Sequence, residues 1–343
     1  MRRTVVLGIL ATAALLTSGC GGGEKIESKK EAAPAAEPPM GKIDRKDPAL
    51  DALIAADAKI EKLASGFKFI EGPVWIAKDG GYLLFSDIPN NSIMKWTPDG
   101  KVAEYLKPSG YTGTEPLEGY VGSNGLILDK EGRLIICQHG DGKLVRQEPD
   151  GKLTVLAAKY QGKRLNSPND AAQKSNGDIY FTDPPYGFPK QDDDPRKQLK
   201  FNGIFRLTSK GKLDLLNKDQ TRPNGIAFSP DEKTLYVANS DPAKKVWMRY
   251  DVQADGSLKN GTVFFDATAQ TVDGLPDGLK LDGKGNLYCT GPGGVWIFAP
   301  DGKHLGTIEP PEVPANVGWG DDGKTLYMTA RTGLYRIKTL TGK

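Results

Sequence analysis

The sequence predicts an all-β fold, a six-bladed β-propeller whose ring is closed by an N-terminal strand joining the last blade. Three observations carry this. First, 42 Gly and 24 Pro stand among 343 residues, about 19% against ~12% in average usage, and these are the poorest helix formers. Second, from about residue 50 a unit of short β-rich runs separated by Asp-Gly, Asn-Gly, Glu-Gly or Lys-Gly turns recurs six times; four-stranded units of ~40–50 residues are the mark of propeller blades. Third, one oxygen-bearing side chain recurs at the opening of every unit, which a two-domain sandwich would not explain.

The chain begins MRRTVVLGILATAALLTSGC. Arg2 and Arg3 form a basic start, Val5 to Leu16 an apolar stretch of signal length, and Ser18 and Gly19 small residues before Cys20. The pattern resembles a bacterial lipoprotein signal over residues 1–20, with Cys20 as the lipidated residue. It implies export and a lipid anchor in the bacterial cell envelope facing the periplasm, or secretion if the signal is of the ordinary kind. Residues 21–48 are Gly, Lys, Glu, Ala and Pro with almost no large apolar residue, so a flexible tether is expected. The propeller is expected over 50–343. Within it, DAKIEKLASGFKF at 57–69 reads as an outer strand that completes the last blade beside GLYRIKT.

The units open at Glu71, Asn124, Asn169, Asn224, Asp277 and Asn316. Each contains a run such as GYLLFSD, RLIICQH, DIYFTD, TLYVANS, NLYCTG or TLYMTA, short and rich in β-branched or aromatic residues. The innermost strand of each blade lines a central channel, so the six opening residues meet at one mouth. Two carboxylates with amide carbonyls suit a hard cation. One divalent cation is expected, with Ca²⁺ favoured because it tolerates irregular geometry; Mg²⁺, Mn²⁺ and Zn²⁺ remain compatible with so permissive a set. A zinc-specific site is disfavoured, since His139 and His304 are the two histidines and no Cys/His spacing exists. Taken singly, an Asn-Gly or Asp-Gly is an ordinary turn; the shared place in the repeat makes it a site.

These residues also carry a family resemblance. EGPVW at 71–75, SPND at 167–170, RPNGIAFS at 222–229 and PDGLKLD at 276–282 resemble the senescence-marker/gluconolactonase/luciferin-regenerating family. FSDIPNN at 85–91 and YFTDPPYG at 180–187 are similar to its bacterial gluconolactonase branch. The resemblance spans about residues 60–340. It implies a divalent-metal-dependent lactonase that opens a sugar lactone such as gluconolactone to the hydroxy acid, the metal polarising the carbonyl. It implies Glu71, Asn224 and Asp277 as metal ligands, Asn169 and Asn124 as substrate-binding residues, and Asp277 as the general base. Asn316 is not counted as a ligand.

His139 is the other candidate base, because an unperturbed imidazole titrates near neutrality. Arg164, just before SPND, is expected to meet a sugar-like or anionic substrate. The insertion at 188–202, FPKQDDDPRKQLKFN, is expected to shape the substrate site, with Tyr186 and Phe188 nearby. The glycines at 72, 125, 225 and 278 are expected to allow close backbone approach around the ion. Cys137 and Cys289 read as buried small hydrophobes, and His304 as a surface residue of a hairpin.

No G-x-S-x-G elbow, P-loop or dinucleotide fingerprint is present. With 46 Lys+Arg against 43 Asp+Glu, the charge balance offers no footprint for nucleic acid. The expected partner is a small lactone, with no obligate protein partner and a membrane reached only through the lipid anchor. Two other functions fit the same residues: an aryl-ester or organophosphate hydrolase of the paraoxonase type, and a non-catalytic binding propeller.

Overall fold

The computed structural model describes residues 40–320 and 323–342. The signal at 1–20, the lipidation site Cys20 and the first part of the tether lie outside these residues. Six antiparallel blades follow one another among the described residues, each built on four strands, with one of them extended to five. Their innermost strands are Ile70–Ile76, Ser123–Leu128, Ala171–Gln173, Pro223–Phe228, Leu279–Leu281 and Asn316–Gly320. Each touches the next, and Asn316–Gly320 touches Ile70–Ile76, so the ring is closed.

The second strand of every blade is its apolar run: Tyr82–Asp87, Leu134–Gln138, Ile179–Asp183, Thr234–Asp241, Leu287–Gly291 and Thr325–Ala330. These runs are almost wholly buried. Blades stack face to face, so a strand here buries both faces and its sequence reads as a continuous apolar run rather than an alternation. Six core clusters result, one at each blade interface. Leu84 and Ile136 join blades one and two, Cys137 and Phe181 blades two and three, and Tyr180 and Val237 blades three and four. Trp247 and Cys289 join blades four and five, Tyr288 and Met328 blades five and six, and Phe85 and Tyr327 blades six and one. Both cysteines are fully buried, as expected of small hydrophobes.

Ring closure follows the expected strand. Ile60–Ser65 pairs antiparallel with Gly333–Lys338, from Ile60 opposite Ile337 to Ser65 opposite Gly333, and becomes the outer strand of blade six. The tether boundary, in contrast, moves. Residues 42–48 were expected in the tether, but Lys42–Arg45 pairs with His304–Glu309 as a fifth strand of blade five. An outermost strand needs backbone partners and few apolar side chains; here Ile43 alone packs on the core. Gly306 permits the approach, since a Cβ there would stand 2.4 Å from the Asp44 carbonyl oxygen. The short 3-10 turn Pro48–Ala52 then buries Leu50, and Arg45 donates to the carbonyls of Ile54 and Ala55. His304 is also not a surface residue: its ring stacks on Trp296 at 4.3 Å and is half-buried.

Candidate active site

The six opening residues meet at one end of the channel. Glu71, Asn124, Asn169, Asn224 and Asn316 are buried, and Asp277 keeps partial exposure. Five of them line one cavity of ≈ 260 Å³, Asn316 excepted. The repeat places them there because every innermost strand begins at the same height in its blade.

The glycines do allow close approach, between neighbouring blades. Cβ atoms at Gly72, Gly125 and Gly225 would stand 2.2, 2.6 and 2.2 Å from the carbonyl oxygens of Asn124, Asn169 and Asp277, and one at Gly278 would stand 2.0 Å from Asn316 Cγ. Each glycine thus lets the next blade's site residue approach. In blade three the same place is taken by Asp170, buried, its Oδ2 accepting no hydrogen bond but ion-paired with Lys280 Nζ at 3.7 Å.

Asn316 positions Glu71. Its Nδ2 donates to Glu71 Oε2 at 2.8 Å, while Val317 N donates to its Oδ1 at 2.8 Å. Gly72 N adds a second bond to the same Glu71 oxygen at 2.7 Å. Asn224 Nδ2 donates to Ser240 Oγ at 2.9 Å, and Ser240 in turn donates to the Pro276 carbonyl, so blades four and five are tied beside Asp277. Burial pushes the carboxyls of both Glu71 and Asp277 well up; at Asp277 the neighbouring charges of Glu71 and Asp170 push further.

His139 is buried. Its Nδ1 lies 3.2 Å from the Tyr120 carbonyl oxygen, which only accepts, so Nδ1 carries the proton and Nε2 a lone pair. Asn169 Nδ2 donates to that lone pair at 3.3 Å. Burial lowers the imidazole pKa to about 4, against the pull of the Tyr120 carbonyl. Burial thus works against a protonated imidazole at His139. Its visible work is to turn the Asn169 amide so that Oδ1 faces away from the ring.

Three side-chain oxygens of this cavity, Asn124 Oδ1, Asn169 Oδ1 and Asp277 Oδ1, are buried without a hydrogen-bond partner. Buried polar atoms are normally satisfied, so three orphans in one cavity with a second carboxylate mark a place built for a ligand. All are hard oxygen donors, the chemistry that Ca²⁺ or Mg²⁺ takes. Among the described residues no three His, Cys, Asp or Glu side chains group as a metal site, which accords with a donor set made largely of amides. The residues present fit a hard divalent cation.

Arg164 does not join the site. It does not line the cavity; its guanidinium donates to the carbonyls of Leu165, Asn166 and Gly140 and lies over the Phe188 ring at 4.8 Å. Its charge holds the 139–142 turn against the 164–166 strand end, which corrects the expected substrate contact. The 188–202 insertion contributes Gln191 to the cavity, and Phe188 is buried beneath Arg164. Tyr186 lines the cavity as well, its phenol pKa raised by burial and then by Asp277.

Sequence reasoning missed Phe69, Ile88, Tyr120, Leu275 and Ser240, all of which line the cavity; Gln191 lies in the 188–202 insertion that was expected to shape it. Phe69 and Leu275 share one place, two residues before the openings Glu71 and Asp277, and Ile88 lies within the quoted motif FSDIPNN. That offset and that motif are the signals that could have found them.

A family described as the SMP-30/Gluconolactonase/LRE-like region matches residues 69–332. A gluconolactonase from Zymomonas mobilis is 41% identical over 315 residues, 88% of this chain and 87% of the relative. The diisopropyl-fluorophosphatase of Loligo vulgaris is 27% identical over 275 residues, 76% of this chain and 84% of the relative. Among solved structures, a gluconolactonase from Xanthomonas campestris superimposes with a TM-score of 0.76 at 31% identity, covering 88% of this chain and 97% of that one.

Proposed function

The chain belongs to the SMP-30/gluconolactonase/LRE-like family, and on that premise we propose that it hydrolyses a lactone, such as gluconolactone, to the open hydroxy acid with one divalent cation at the channel mouth. The observation that carries the reading is the set of three unpartnered oxygens on Asn124, Asn169 and Asp277, beside Glu71 in one cavity. Glu71, Asn224 and Asp277 would hold the cation, with Ca²⁺ best suited to this mixed set. When bound it supplies Lewis-acid polarisation of the ester carbonyl.

The protein's own groups do the rest. Asn124 and Asn169 orient the lactone, Asn169 being held by His139. The Asp277 carboxylate accepts a proton from the attacking water. The water oxygen adds to the carbonyl carbon, the ring C–O bond breaks, and the proton passes to the departing ring oxygen. One ester and one water become one carboxylic acid and one alcohol. Asn316 and Gly72 keep Glu71 in place throughout.

Lactone opening should therefore stop when a chelator removes the cation and return when the cation is restored. Asp277→Ala should lower kcat at least ~10²-fold, the scale of a lost transition-state contact. Turnover that ignores the chelator would sink the reading. The similarity to a diisopropyl-fluorophosphatase supports a second reading, organophosphate hydrolysis at the same cavity; faster turnover of a fluorophosphate, with fluoride as leaving group, than of any lactone would favour it. We also propose, from the residue pattern at 1–20, export and lipid anchoring through Cys20. Labelled fatty acid should enter the parent chain and not Cys20→Ala.

A further inference from the structure

We propose that this mouth also takes lactones whose ring bears an alkyl or aryl arm, and that Tyr120 selects them; the inference rests on the lactonase reading above. The cavity has two chemically distinct sides. The oxygens of the unit openings form its floor. Its rim is apolar: Phe69, Ile88, Tyr120 and Leu275. The Tyr120 ring stands edge-on to Phe69 at 5.2 Å and 85°, and the residue remains 42% exposed. An aromatic left half in water at the edge of a concave site is available for a ligand rather than needed by the core. Tyr120 and Asp277 line the same cavity of ≈ 260 Å³, so the rim and the reacting end of the cavity lie within reach of one small molecule.

The rim is also held still. Tyr120 sits on the 107–122 loop, which Asn91 clamps. Asn91 Oδ1 accepts from Ser109 N, Gly110 N and Tyr111 N at 3.1, 2.8 and 3.1 Å, and its Nδ2 donates to the Tyr111 carbonyl at 2.8 Å. Gly122 N donates to the Ile88 carbonyl at 2.9 Å, tying the far end of the loop to the rim's own Ile88. A fixed apolar wall discriminates by what it cannot offer. A hydroxyl of a sugar lactone turned toward Phe69, Ile88, Leu275 or the face of the Tyr120 ring loses its water partners and finds no replacement there, whereas an alkyl arm loses nothing and is desolvated.

The test compares kcat/KM for δ-decalactone, a δ-lactone with a pentyl arm, and for glucono-δ-lactone. It uses the full chain and the variants Tyr120→Ala, Tyr120→Phe and Leu275→Asn. The parent should open both lactones. The alkyl-to-sugar ratio of kcat/KM should fall ~10-fold or more in Tyr120→Ala, as for lost apolar pocket contacts. It should fall in the same direction in Leu275→Asn and hold in Tyr120→Phe, which keeps the ring. The second site keeps the test valid should one variant fail to fold, as read by its thermal melt. Hydrolysis of the sugar lactone without the alkyl lactone would overturn the inference, as would an equal loss for both in Tyr120→Ala. If neither lactone opens, the lactonase reading itself falls, and the inference with it.

Discussion

Gly225→Ala tests whether the site depends on the close contact between blades. The added Cβ would stand 2.2 Å from the Asp277 carbonyl oxygen, 2.8 Å from Gly278 Cα and 2.9 Å from the Asp277 carbonyl carbon. All three are backbone atoms, so no rotamer relieves them. Ordinary contact begins near 3.4 Å, and blades four and five must therefore part by about 1 Å between Asn224 and Asp277. Overpacking of this kind costs ~1–3 kcal/mol. A 1 Å misplacement at a reacting centre costs about 10²-fold in rate, so the loss of activity should outrun the loss of stability. Gly100→Ala is the control: it sits in a distal hairpin at φ +84 with nothing within 4 Å, and should cost ~1 kcal/mol from backbone strain alone with parental turnover. Cation affinity by calorimetry, lactone opening by proton release and a thermal melt report the three quantities. A Gly225→Ala protein with parental turnover and parental cation affinity would refute the idea that blade spacing sets the site.

Asn91→Ala removes one acceptor shared by three backbone N–H groups and adds strain at φ 53; we expect ~1–3 kcal/mol of lost stability and faster hydrogen exchange confined to 107–122, and unchanged exchange there would dismiss the clamp. Ring closure should weaken in acid through Glu312. Burial alone would raise its carboxyl, but bonds from Thr332 Oγ1, Tyr335 Oη and Thr332 N, with Lys62 nearby, hold it down at about 2. A depressed folded pKa means stability that is complete above the unfolded value of about 4.5 and lost as pH falls from there toward 2. Because the group is partly solvated, the contribution is about 1 kcal/mol. The pH slope of urea unfolding over that window should shrink in Glu312→Gln, and an unaltered slope would place the acid lability elsewhere.

The blades were legible because a propeller repeats one solution six times, so each apolar run and turn is read against five others. The closing strand was legible for a related reason: an unpaired β-rich run at 57–69 had one open edge left to join. Lys42–Arg45 was not legible, since a four-residue edge strand of mixed polarity is held by backbone pairing with His304–Glu309 and leaves little trace in side-chain pattern. The floor of the site was readable for the same reason as the blades, but its rim was not: Phe69 and Leu275 stand two residues before Glu71 and Asp277, a place held by Gly122, Ser167, Arg222 and Pro314 in the other units, and Tyr120 stands in a loop outside the repeat. Arg164 shows the opposite failure. Its charge beside a site motif suggested an anion, while the neighbouring turn offered carbonyls that claim the guanidinium first. Asn316 shared the repeat position of the ligands, yet only coordinates show its amide donating to Glu71 rather than facing the cavity.

The oxygen floor opposes the fold that contains it. Burial raises the carboxyls of Glu71 and Asp277, and the charges of Glu71 and Asp170 raise that of Asp277 further; Asn124, Asn169 and Asp277 each keep an oxygen without a hydrogen bond. An unsatisfied buried polar group costs ~1–3 kcal/mol, a cost that a cation bound to these oxygens would offset. Binding to the folded chain alone stabilises it by RT ln(1 + [L]/Kd), about 2.7 kcal/mol at a hundredfold excess over Kd. Asp277→Asn separates this from an ordinary hydrogen-bond network by sign. It removes one of two opposed carboxylates while keeping shape, so the cation-free protein should melt at or above the parental temperature, and the rise on adding Ca²⁺ should largely vanish. A network role predicts the reverse, a lower melting temperature without cation. That result, or a full Ca²⁺ shift in Asp277→Asn, would show that Asp277 is not held there at a cost to the fold for a cation's sake.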